Sequence, residues 1–287
     1  VAQRLTDAGV KGVVGHVTSG AAIPASRIYE QAGIPAITPS STSPQLTRQR
    51  FKTTYRVIAN DLQQGSAMAQ FATAELKATR IAVIDDRTAY GQGLADAVVD
   101  SLKRLGVTPV GREFTTDKST DFAAILTKLK ATRPDAIFYG GMDAQGAPIL
   151  KQMKQLGISA KYLGGDGACT AEMIKIAGPA MSSDVYCTQA GIAMDKMPGG
   201  KAFNERFKKR FEVPVQLYAP YSYDAASALI EAMKLANSAD PAKYLPMLQK
   251  VSFKGVTGNI AFDAFGDSRE GGVTLYQFKA GAWEARH

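Results

Sequence analysis

The 287-residue chain holds two cysteines, two histidines and one tryptophan, and each scarcity closes off a class of chemistry. Cys169 and Cys187 form no Cys-x-x-Cys pair, so with two histidines a zinc centre has too few ligands. His287 is the last residue, which leaves His16 as the single histidine within the fold. No cysteine lies near His16 in sequence and no Gly-x-Ser-x-Gly elbow occurs, so the arrangements of nucleophilic hydrolysis are missing. His16 is expected to pack or hydrogen-bond within its loop. No run of eighteen uncharged apolar residues is present, which excludes a membrane-spanning helix. Val1-Ala2-Gln3-Arg4-Leu5 lacks the basic start and apolar run of a secretory signal, although a mature or truncated chain would read the same. Tyr90-Gly91-Gln92-Gly93 is neither a Walker loop nor a dinucleotide fingerprint, because Asp96 stands where a third glycine is required. No cofactor is expected.

A net charge of +8 raises the question of a nucleic-acid partner, but the basic residues are scattered. The densest cluster, Arg206-Phe207-Lys208-Lys209-Arg210-Phe211, fits a solvated helix face with Phe207 and Phe211 in the core. No nucleic acid is expected; a basic exterior could serve docking on an acidic partner.

The length suits two lobes, and strand and helix patterns alternate along it. Strands are expected at Gly12 to Gly15, Pro35 to Thr38, Arg80 to Asp85, Thr108 to Phe114 and Asp135 to Tyr139. The helices expected among them cover about Ile23 to Ala32, Leu62 to Lys77, Gly93 to Leu105, Asp121 to Ala131 and Ala144 to Leu156. Such alternation indicates a parallel sheet with helices on both faces, an α/β fold. Val57 to Asp61 reads as a strand crossing between lobes and Thr188 to Gly200 as a second crossing. Helices follow at Lys201 to Phe211, Tyr218 to Ala236 and Pro241 to Lys250. Val256 to Phe262 and Val273 to Phe278 alternate like antiparallel or edge strands, and Gly281-Ala282 marks a hairpin turn before Trp283.

Three strand ends carry the chemistry. Ser19, Ser40 and Thr42 follow short strands, where hydroxyls and free helix amides bind an anion or, alternatively, cap helices. Tyr162-Leu163-Gly164-Gly165-Asp166-Gly167 ends a third strand in glycines and one acid. Asp166 either caps the following helix, Thr170 to Ala177, or faces a cleft and pairs with an ammonium group. Hydroxyl and amide donors in one region and a carboxylate in another suit a zwitterion such as a free amino acid. Cys169 and Cys187 flank that helix and are read either as a disulfide or as two buried thiols.

Several segments together resemble the periplasmic leucine/isoleucine/valine-binding proteins, type I solute receptors of ABC importers. They are Gly15-His16 through Ser19, Pro24 through Tyr29, Ile37-Thr38-Pro39-Ser40-Ser41-Thr42, Asp85 through Gly93, Tyr139-Gly140-Gly141 and Gly164-Gly165-Asp166-Gly167. The resemblance implies two Rossmann-like lobes joined by three hinge crossings that close over the ligand. Residues 1–59 and 190–270 would form the first lobe, and 60–189 and 271–287 the second. By position Ser19 and Thr42 would hold the ligand carboxylate by side chain and Ser40 by backbone. Tyr90 would approach from the opposite lobe, and Asp166 would accept the α-ammonium where many members use glutamate. Met142 replaces a frequent tyrosine and, with Tyr218, would line an apolar side-chain pocket. Thr18 replaces a cysteine used for a disulfide in some members, and Cys169 with Cys187 looks like the alternative pair. Members begin with a strand, helix and strand absent here, so the first lobe is expected to lack about one to two βα units. The function implied is a nonenzymatic, monomeric, periplasmic receptor that delivers a small aliphatic amino acid to ABC permease subunits. A ligand-sensing domain of a regulator and an amino-acid enzyme using Asp166 and Tyr90 as acid and base are the competing readings.

Overall fold

The computed structural model describes residues 1–286. The chain divides into two compact units, Val1–Asn60 with Gly191–Gly272 and Asp61–Ala190 with Val273–His287.

The second unit is built on a seven-stranded sheet. Its strands lie in the order Ala282–Ala285, Thr274–Lys279, Val185–Gln189, Lys161–Gly164, Ala136–Gly140, Ile81–Asp85, Gly111–Phe114. The last five are mutually parallel, and Thr274–Lys279 joins them antiparallel. Alternation along the strands sorts the core into two layers. Ala82, Ile84, Ile137, Tyr139 and Tyr162 meet the helices Ala123–Ala131, Asp143–Gln155 and Ala171–Ala177 on one face. Ile81, Val83, Ala136, Phe138 and Leu163 meet Asp61–Gln70 and Gly91–Arg104 on the other. Both faces being covered, the central strands read as continuous apolar runs.

The first unit carries the parallel strands Val13–Val14, Ala36–Thr38 and Thr54–Arg56. Tyr29, Ala25 and Ala2 from its first two helices pack with Val13 and Ala36. A guanidinium supports this unit from within. Arg56 is fully buried and donates to Asp267 Oδ1 from Nε (3.0 Å), to the carbonyls of Ser41 (3.1 Å) and Ser43 (2.8 Å), and to the Thr47 hydroxyl (3.0 Å). A second buried carboxylate, Asp224, accepts from the amides of Val256 and Thr257 and holds the turn between two short antiparallel strands.

The structure corrects several expectations. Residues 57 to 60 form no strand; Thr54–Arg56 is the strand, and a helix begins at Asp61. Val57-Ile58-Ala59 is apolar because all three are buried, and burial alone does not distinguish a strand from a packed loop. The expected strand from Val256 is two, Ser252–Lys254 and Asn259–Ala261, turned through Gly258 at φ 150°. The first long helix starts at Ser19 rather than Ile23 and contains Pro24. The helix from Asp61 changes hydrogen-bonding pitch at Phe71–Glu75, where the Leu76 amide reaches back to the Phe71 carbonyl. Strand Thr108 to Phe114 contracts to Gly111–Phe114. Phe211 does not enter the core: it is 57% exposed at the end of its helix, its ring tilted against that of Phe207. Among the described residues no helix is long and apolar enough to cross a membrane.

Arg56→Met keeps the bulk but strands Asp267 and two carbonyls, so it should cost about 3–5 kcal/mol of stability. Urea unfolding of the variant checks this; a loss below 1 kcal/mol would show that Arg48, 3.7 Å from Asp267 Oδ2, replaces the buried partner.

Candidate functional site

In the first unit, two strand ends are stitched into one hydroxyl-lined edge. The Thr38 hydroxyl donates to the His16 carbonyl (2.9 Å) and accepts from the amides of Ser40 (3.3 Å) and Ser41 (2.9 Å). Ser40 Oγ donates to the Val17 carbonyl (2.8 Å). Ser19 Oγ accepts from Ser41 Oγ and from the Ser43 amide, both at 3.1 Å, which leaves its own proton to donate. Thr42 Oγ1 is buried with no hydrogen-bond partner among the described residues. Arg56 pins the carbonyls on either side of Thr42, so the loop's polarity is fixed: carbonyls inward, hydroxyls to the strand edge.

Capping is not what these groups do. Ser19 is the first residue of its helix, Thr18 occupies the cap position without a side-chain bond, and Ser40 and Thr42 adjoin no helix start. The helix Ser19–Ala32 begins at the same edge, and the amides of a helix start favour an anion. His16 hydrogen-bonds through Nε2 to the Tyr29 hydroxyl (2.8 Å), and burial holds its pKa below the ordinary value. It belongs to the loop's scaffold.

In the second unit the chain's first and third parallel strands, Ile81–Asp85 and Ala136–Gly140, are neighbours, so strand order reverses there. Open α/β sheets bind ligands outside the carboxyl ends of the strands at this point. The structure gathers Tyr90, Met142 and Asp166 at that edge. Asp86 opens the route: its Oδ1 accepts from the Thr88 amide (2.9 Å) and hydroxyl (2.7 Å), and Thr88 Oγ1 accepts from the Gly91 amide (2.9 Å). That chain starts the helix Gly91–Arg104 and sets Tyr90 one residue before it. Burial pushes the Asp86 carboxyl above its usual range, an effect the Thr88 bonds oppose.

The Tyr90 hydroxyl donates to Asp166 Oδ1 (2.8 Å) and accepts from the Gly167 amide (2.8 Å). Gln64 Nε2 donates to the same Asp166 oxygen (2.7 Å). Asp166 is therefore no cap for the next helix; Thr170 holds that position and accepts from the Met173 amide. The glycines around Asp166 have a steric cause. A Cβ on Gly167 would lie 2.8 Å from Met142 Sδ, 2.8 Å from Tyr90 Cε1 and 3.0 Å from the Gly141 carbonyl. A Cβ on Gly165 would collide with Leu94 and the Tyr90 hydroxyl. Cys169 and Cys187 are bonded to each other, their Cα atoms 5.5 Å apart, which fastens the Asp166 turn to the strand Val185–Gln189. Tyr218 stands on a different element, half-buried, immediately before the first-unit helix Ala219–Ala236.

Arg56 and Gln64 escaped the sequence reading. Arg56 sits in a segment with no polar pattern, and its partner is 211 residues away. Gln64 carried one signal, the Gly65 beside it. A Cβ there would come within 2.8 Å of Ala97 Cβ, so a helix-interior glycine marks close contact with the helix that follows Tyr90.

The sequence profile of a family described as periplasmic binding proteins matches residues 1–282. Among curated relatives, the Leu/Ile/Val-binding protein homolog 1 of Brucella suis is 35% identical over 98% of this chain and 76% of its own length. The leucine-, isoleucine-, valine-, threonine- and alanine-binding protein of Pseudomonas aeruginosa is 32% identical over 97% of this chain and 74% of its own. A leucine binding protein of Thermotoga maritima superposes with a TM-score of 0.93 at 31% identity, covering 100% of this chain and 82% of that one. A branched-chain amino acid transporter substrate binding protein of Streptococcus pneumoniae, solved with isoleucine, gives 0.88 at 27% identity, over 99% and 80%.

Gly167→Ala tests the packing of the acidic edge. The new methyl meets backbone as well as side chains, so it should destabilise by about 1–3 kcal/mol and shift the Tyr90 ring off Asp166. Thermal unfolding with tyrosine absorbance reads both; an unchanged midpoint would show that the turn yields freely.

Proposed function

The chain belongs to the periplasmic binding protein family, and from that premise we propose that it is an extracytoplasmic receptor. It binds a small aliphatic L-amino acid of the leucine, isoleucine or valine kind and hands it, unaltered, to the permease of an ABC transporter. Its relatives carry names of amino-acid-binding proteins, two of them structures named for leucine binding or solved with isoleucine. The receptor acts as a periplasmic monomer and carries out no chemistry on its ligand.

The observation that carries this reading is the buried Thr42 hydroxyl without an acceptor, beside Ser19 with a proton to donate. Leaving such a donor unsatisfied costs about 1–3 kcal/mol, and a ligand carboxylate repays it. In our reading Ser19 and Thr42 hold the carboxylate by side chain and Ser40 by its amide. Asp166 takes the α-ammonium, and the Tyr90 hydroxyl orients it. Met142 and Tyr218 supply apolar wall for the side chain, which favours aliphatic ligands. A ligand gripped through both ends rewards the conformation in which both grips are made, a population shift driven by differential affinity.

A thermal-shift panel of the amino acids tests the reading. L-Leucine, L-isoleucine or L-valine at a thousandfold excess over its dissociation constant should add about 4 kcal/mol of stability. Asp166→Ala should weaken binding on the order of a hundredfold and, because it strands the buried Gln64 and Tyr90 donors, should also cost the unliganded protein about 1–3 kcal/mol. If no amino acid raises the midpoint, the receptor reading fails; if Asp166→Ala binds within twofold of the parent, the ammonium site lies elsewhere.

A further inference from the structure

Gln64 is fully buried in the second unit, yet every polar atom of its side chain is engaged. Its nitrogen faces two carboxylate oxygens, Asp166 Oδ1 at 2.7 Å and Asp61 Oδ1 at 3.2 Å. Carboxylates only accept, so the group facing them must be the NH2, and the amide cannot be turned the other way. Gln64 Oε1 then faces Thr188 Oγ1 at 3.0 Å, and the buried threonine must donate. The direction of every hydrogen bond in the chain Thr188 to Gln64 to Asp166 is thus fixed by chemistry. At its end Asp166 Oδ1 receives two donors, Gln64 and Tyr90, neither of which carries charge.

We propose that Gln64 is a positioning residue for the Asp166 carboxylate and that Thr188 sets Gln64, so that this relay determines how well the protein holds an α-ammonium group. The inference rests on Asp166 being the ammonium acceptor proposed above. Tyr90 anchors the Asp166 carboxylate from the residue before the helix Gly91–Arg104. Gln64 anchors it from the helix Asp61–Gln70, packed on the same face of the sheet, and Thr188 lies in the strand Val185–Gln189. Aspartate has one methylene fewer than glutamate and one fewer torsion to absorb error, so its direction has to be supplied by neighbours. A neutral amide lets two carboxylates share one nitrogen without adding a charge of its own.

Calorimetric titration of the full chain with L-leucine, L-isoleucine and L-valine tests the relay. Thr188→Val removes the hydroxyl at constant shape, and Gln64→Met removes the amide at similar volume; each should raise the dissociation constant about tenfold. Thr188→Ser, which keeps the donor, should bind within twofold of the parent. Gln64→Glu sets a third carboxylate against the other two and should cost more than the neutral changes. In an Asp166→Asn background Thr188→Val should change affinity less than twofold, because its effect passes through the carboxylate; a purely structural role would act equally in both backgrounds. If Asp166→Asn binds like the parent, the assignment of Asp166 itself falls. If Asp166→Asn is crippled while Thr188→Val and Gln64→Met bind normally, the relay alone is overturned.

Discussion

Parallel strands bring all their carboxyl ends to one edge of a sheet, and this constraint decides where chemistry can collect in both units. Between those strands the chain must return through a helix, so each carboxyl end is followed by a turn and, at most of them, by a helix start with unpaired amides. The loops Gly15–Thr18 and Pro39–Ser43 meet because Val13–Val14 and Ala36–Thr38 are parallel neighbours. Tyr90, Met142 and Asp166 meet because Ile81–Asp85, Ala136–Gly140 and Lys161–Gly164 are. What the side chains add is the choice of donors at one edge and acceptor at the other.

Two buried charged groups, Arg56 and Asp166, are held in different ways. Arg56 is compensated in full: a carboxylate, two carbonyls and a hydroxyl surround it, and its work is to hold the loop that carries Ser40 and Thr42. Such a charge is costly to disturb and offers nothing to a ligand. Asp166 Oδ1 accepts from an amide and a phenol, two neutral donors that direct it. Fixing a charge with neutral dipoles prepares it for a partner, since little reorganisation remains when the partner arrives.

Period and punctuation made most of the architecture legible. The apolar runs at Ile81–Asp85 and Ala136–Gly140, each followed by glycine and a helical pattern, are enough to specify a parallel sheet covered on both faces. Short strands were harder: Thr54–Arg56 contains a charged residue that is fully buried, and no local rule anticipates a buried arginine whose carboxylate comes from Asp267. The apolar Val57-Ile58-Ala59 drew the strand assignment instead. Phe211 shows the reverse failure. Its spacing four residues from Phe207 fits a core stripe, but the helix ends there and no element covers its last turn. At the candidate site Tyr90 and Met142 are singled out only by the family resemblance, whereas the hydroxyls and Asp166 stand out because strand ends expose them to pattern reading. Gln64 and Thr188 do not, since a glutamine in a helix and a threonine in a strand are ordinary residues until the fold sets them 3.0 Å apart.

The backbone passes from one unit to the other after Asn60, after Ala190 and after Gly272. Gln64 is one helical turn beyond the first passage, bonded to Asp61 at its start, and Thr188 is two residues before the second. The amide that directs the Asp166 carboxylate therefore also joins the segments adjoining the first two of these passages. Hydrogen bonds of fixed direction thus run from the Asp166 carboxylate through Gln64 to Asp61 and to Thr188.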